Sequence, residues 1–201
     1  MKHKILALIL ALALVAGIAA PAFAAEETEE PASDAQVQTI TVQTAEEFLA
    51  FAENCSLDTW SLDKEVVLQA DISLAGTGFT GIATFAGTLN GNGHTISGLA
   101  IEESIAPAGL FRYLQPTAVV KNLQVTGRVI PGGDAVTVGG IVGENHGTLE
   151  NCAFTGQVEG ETDTGGIAGV NYGTIRRCKS SGSLTGENRT GGVAGCNEGR
   201  Y

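Results

Sequence analysis

Histidine, the side chain most often used in acid–base chemistry, occurs three times in this 201-residue chain: His3, His94 and His146. A zinc peptidase needs two histidines one helical turn apart in HExxH; neither His94 nor His146 stands in such a motif. His94 closes the segment Asn90-Gly91-Asn92-Gly93-His94, whose Asn-Gly steps are turn signals, and reads as a turn residue. His146 lies between Asn145 and Gly147, and is expected to face solvent. Acid–base chemistry on a polysaccharide needs carboxylates gathered on one face. Glu144, Glu150, Glu159, Glu161, Asp163, Glu187 and Glu198 instead read as scattered, solvated surface. A GGxGxDxUx calcium coil is also missing, because Glu144 falls one place early and becomes Val170, then Cys196, in later copies. GxSxG and P-loop motifs do not occur. Asn188-Arg189-Thr190 is a sequon, which by itself predicts little. We therefore assign no catalytic, cofactor-binding or metal residues, and read the chain as not an enzyme.

Four cysteines, Cys55, Cys152, Cys178 and Cys196, are too sparse for a disulfide scaffold. Their spacing fits no zinc pattern. Small buried side chains are the expected role for most of them.

The elements that position these residues follow from a repeat. Gly139-Gly140-Ile141-Val142-Gly143 recurs as Gly165-Gly166-Ile167-Ala168-Gly169 and as Gly191-Gly192-Val193-Ala194-Gly195, 26 residues apart each time. Asn145, Asn171 and Asn197 keep register, as do Gly147, Gly173 and Gly199. A degenerate copy precedes them: Val120, Leu149 and Ile175 share an apolar column, and Lys121, Glu150 and Arg176 a charged one. Leu123, Cys152 and Cys178 form the next apolar column. Alternation within a strand, repeated between copies, marks a half-buried strand stacking on its own copies. Each unit is then one coil of a solenoid with rungs ~4.8 Å apart. The glycine and β-branched content of each unit excludes a helical solenoid. In this frame Cys152 and Cys178 are expected to be two buried thiols. They lie within disulfide reach, but in-register side chains on parallel strands point the same way, which is poor geometry for the bond. Cys196 falls near a bend and is expected to be exposed.

The N-terminal region is different. Residues 1–24 combine a basic start, an apolar run from Ile5 to Ala20, and Ala22-Phe23-Ala24, the layout of a cleavable signal peptide. The run is shorter than the ~20 residues that span a bilayer. Residues 25–36 read as an acidic linker. Residues 37–64 read as a short strand followed by a capping helix over 45–54, where Thr44 and Glu47 form a capping-box pattern. The solenoid occupies 65–201, with repeats starting at 139, 165 and 191, the last one incomplete. The chain stops about ten residues into a coil, so further coils or domains are expected C-terminal to Tyr201.

These motifs resemble the GLUG repeat of bacterial secreted and cell-surface proteins. Phe85 to Leu99 resembles its "GTFDGNGHTISGL" lead-in, and Gly109-Leu110-Phe111-Arg112-Tyr113-Leu114 its "AGLFGYI" continuation, with Arg112 in place of the usual Gly. Residues 42–72 resemble the helix-plus-strand opening of such modules. The resemblance implies an all-β fold, a right-handed parallel β-helix with a short N-terminal capping α-helix, in a Gram-positive or related bacterium. It also implies an accessory module, as found beside IgA-cleaving metallopeptidases and in adhesin-like proteins. Arg177 departs from Asn122 and Asn151 in its column, which counts against a continuous Asn ladder at that bend.

The formal charge is −11; residues 1–24 hold two of the 11 Lys+Arg and none of the 22 Asp+Glu, so their removal leaves −13. Such a surface repels nucleic acid and anionic lipid, and argues against a basic groove for acidic polysaccharides. The expected function is a non-catalytic, secreted or cell-surface module: a rigid spacer, adhesion segment or binding platform. Its expected partners are a glycan or a host or cell-surface protein. The alternatives are a carbohydrate-active β-helix enzyme and the N-terminal piece of a larger secreted peptidase. No cofactor is expected.

Overall fold

The computed structural model describes residues 37–133 and 137–201. The signal-peptide and linker segments, 1–24 and 25–36, lie outside the described residues. No helix among the described residues is long and apolar enough to cross a membrane.

The chain winds into a parallel β-solenoid, each coil laying one strand on each face. The first face stacks Gln38–Val42, Lys64–Leu68, Thr88–Asn90, Val119–Lys121, Thr148–Glu150 and Thr174–Arg176. The second stacks Ile72–Ser73, Thr95–Ile101, Gln124–Val129, Ala153–Gly160 and Lys179–Gly186. The third stacks Ile82–Phe85, Phe111–Leu114, Val142–Asn145, Ala168–Asn171 and Ala194–Asn197. From the third coil on, a short fourth face of Thr137–Gly139, Asp163–Gly165 and Arg189–Gly191 is inserted between the second and third. Every strand pairing is parallel.

Register follows the sequence columns. Leu149 pairs with Val120 on one side and Ile175 on the other, all three buried. One residue along, Lys121, Glu150 and Arg176 line up outside, so opposite charges alternate down the stack. Because the side-chain period is 2, a one-residue slip would bury this charged column. That penalty holds the coils in register.

The core tapers. Near the N-terminal end it is aromatic: Phe85 packs on Phe111 at 5.5 Å between ring centroids and on Phe51 at 5.8 Å. The third-face column that holds Ile82, Phe111 and Val142 ends in Ala168 and Ala194. The helix Ala45–Asn54 closes the wide end with Phe48 and Phe51, both buried. Burying each ring contributes about 2–3 kcal/mol. Thr44 caps the helix by accepting from the Glu47 amide at 3.2 Å. The Glu47 carboxylate reaches back to the Gln43 amide at 2.7 Å, one residue beyond the usual capping-box partner.

Candidate functional site

His94 sits in its turn and anchors it. Its Nδ1 lies 3.2 Å from the Asp71 carboxylate, which also accepts from the Thr95 amide at 2.9 Å. These bonds hold the Asp71 carboxyl below the usual carboxylate range, the Thr95 amide contributing most.

His146 does not stand out in solvent as its column suggested. It is half-buried, its ring 5.0 Å from Tyr113 and 4.8 Å from Tyr172, with Nε2 at 2.7 Å from Glu144. Ring-on-ring stacking between rungs removes both faces of the imidazole from water. Its partner Tyr113 lies opposite Glu144 in register, not opposite His146, so alignment by column alone missed it.

The carboxylates of the repeats divide into paired and clustered groups. The Asp163 carboxylate is buried and faces the Arg189 guanidinium as a two-pronged pair at 2.7 and 2.8 Å. Glu150 accepts from Arg176 at 2.6 Å and Arg177 at 3.3 Å, which lowers its pKa, the Arg176 bond first. Glu159, Glu161 and Glu187 line one notch of about 190 Å³, so the expected scatter is incomplete. Glu161 and Glu187 share a column across the 26-residue step. Among the described residues no group of three or more His, Cys, Asp and Glu is placed to hold a metal ion.

All four cysteines are free thiols. Cys152 is buried, but Cys178 is half-buried and not fully inside as expected. Its column faces the last coil, where the cover is thinner. Cys196 is half-buried too, not exposed; it lies opposite Val170 in the third-face column that also holds Glu144.

The corner from the first to the second face gathers the most polar side chains. Each coil turns there on one residue in the left-handed region: Asn122 at φ 55°, Asn151 at 52° and Arg177 at 55°. Asn pays least for this conformation after Gly. Asn151 donates to Asn122 at 2.9 Å, and Asn122 to Asn90 at 3.2 Å. Arg177 ends this ladder and turns its guanidinium toward Glu150. A cleft of about 270 Å³ opens at the corner, with Asn122, Gln124, Asn151, Arg177 and Lys179 on its walls.

Comparison with known proteins gives a motif and a relative. The GLUG motif model matches residues 134–159. Over 93 residues the chain is 40% identical to halomucin of Haloquadratum walsbyi, a stretch that is 42% of this chain and 1% of the relative. The chain thus spans a very small part of that protein's length. No solved structure matches. The GLUG motif match thus lies within a chain folded as a parallel β-solenoid.

Proposed function

We propose that the chain is a non-catalytic GLUG-repeat module of an extracellular surface protein, acting as a rigid spacer and binding platform. The motif match and the likeness to halomucin support a surface module. The observation that carries the mechanical part is the parallel stack on every face, in register except for one shift on the second face between Ile96 and Leu99. Such a stack bends little, because any bend must stretch ladder hydrogen bonds on one side of a packed core. Small-angle scattering should give a maximum dimension for 37–201 that stays fixed between low and high salt. Incubated with panels of glycans and peptides, the purified protein should release no product.

A second reading has one observation in its favour. The notch lined by Glu159, Glu161 and Glu187 gathers carboxylates as a carbohydrate-active β-helix enzyme would. Product release abolished by Glu161→Gln would establish this reading and overturn the first.

A further inference from the structure

The chain is acidic as a whole, yet its cations are unevenly placed. The fold brings Lys121, Arg176, Arg177 and Lys179 to the corner between the first and second faces. Among the described residues, the carboxylates paired with them are Glu65, 3.9 Å from Lys121, and Glu150. Linear composition hides this concentration, because Lys121 lies two coils away from Lys179.

The corner cleft has unused bonding capacity. Asn151 spends its amide N–H on Asn122, while its carbonyl oxygen has no partner among the described residues. The Lys179 ammonium has none either. Gln124 donates to the Gly93 carbonyl at 3.3 Å and leaves its own oxygen open. Cations beside amide donors and acceptors are the chemistry that recognises a carboxylate flanked by hydroxyls.

Arg177 sharpens the point. Asn at this position would suit the left-handed backbone and extend the ladder, as it does in the two preceding coils. The Arg side chain is 78% exposed, and its bond to Glu150 duplicates one that Arg176 makes at shorter distance. The fold gains little from Arg here, whereas a ligand would gain a planar fork matched to a carboxylate.

We infer that this cleft binds a carboxylate-bearing sugar of an anionic glycan. Arg177 and Lys179 take the carboxylate, and Asn122, Gln124 and Asn151 take the ring hydroxyls. This rests on reading the chain as a binding platform. It narrows the expectation that the acidic surface excludes such ligands. The surrounding negative field repels a long polyanion lying along the solenoid, so the site selects a short acidic stretch or a terminal acidic residue.

The test titrates the full chain at low salt with a galacturonic acid trimer, a neutral galactose trimer and inorganic sulfate. Saturable binding of the acidic trimer is expected, weaker by about tenfold or more for the neutral trimer and for Arg177→Asn. Lys179→Ala should also weaken it. Arg177→Asn restores the corner ladder, so its melting temperature should hold or rise, which separates lost binding from misfolding. The inference is overturned by no saturation below about 10 mM, by affinity unchanged in Arg177→Asn, or by sulfate competing equally. Failure to bind leaves the module reading in place. Cleavage of the trimer would overturn the module reading alone.

Discussion

The Asn145 side chain donates from Nδ2 to the Oδ1 of Asn171 at 2.6 Å, and Asn171 repeats the bond to Asn197 at 2.6 Å. This ladder fills the inward column occupied by Phe85 and Leu114 in earlier coils. Asn145 also accepts from the Gly147 amide at 3.1 Å, so the buried amide is satisfied locally and along the stack. Asn171→Ala strands a buried donor on Asn145 and removes its bond to Asn197. The expected loss is about 2–4 kcal/mol, read as a lower midpoint in urea. Asn197→Ala removes only the acceptor of Asn171, at the exposed end of the column where water can replace it, and should cost less, about 1 kcal/mol. Equal losses at the two positions would show that the buried ladder has no special weight.

Gly156 makes the closest backbone approach on the second face. A Cβ there would land on the Gly127 carbonyl oxygen of the preceding rung. Gly156→Ala must push two rungs apart and break ladder hydrogen bonds, so a cost of about 3 kcal/mol or more is expected. Gly93 is the control, because it has φ +82° but nothing within 4 Å of the added methyl. Gly93→Ala should cost about 1–2 kcal/mol, the penalty for a left-handed residue alone. Thermal melts of both variants decide the matter, and comparable shifts would reject the steric account.

The 26-residue columns made the solenoid legible, since alternation within copies and identity between them reflect one physical cause, stacking in register. Thr44 and Glu47 likewise marked the helix start. Other features escaped for identifiable reasons. Tyr113 joins the His146 stack by reaching sideways from a position opposite Glu144, which no column records. Cys178 departs from expectation because burial in the last described rung depends on what covers it, not on residue type. The basic corner was invisible because net charge averages over faces. Arg177 departs from the Asn column in the sequence, but its backbone conformation, shared with Asn122 and Asn151, emerges only from the structure.

Asp71 predicts a pH dependence. The Thr95 amide and His94 favour its charged form, so its folded pKa lies below its unfolded value. The stabilisation is therefore present above the unfolded pKa of ~3.9 and is lost as pH falls through the folded value. Asp71→Ala should melt below the wild type at neutral pH, with a small difference because the carboxylate is exposed. That difference should close in acid. A gap that persists or widens there would contradict the ionic account and point to the turn's backbone instead.

The thiols should react in an order set by their surroundings. Burial pushes the Cys55 thiol up to about 12, so almost no thiolate exists at pH 8. In the Cys152–Cys178 pair the interaction of the two thiols raises Cys152 and lowers Cys178, while each Sγ donates to a backbone carbonyl, Cys152 to Glu150 at 3.3 Å and Cys178 to Arg176 at 3.4 Å. The half-buried Cys178 therefore carries the thiolate and the access, and alkylation rate follows both. Iodoacetamide at pH 8, with peptide mapping by mass spectrometry, should label Cys178 well before Cys152 and Cys55. Cys55 should become reactive only in denaturant. Labelling of Cys55 at a rate comparable to Cys178 in the folded protein would refute the buried placement beneath the capping helix.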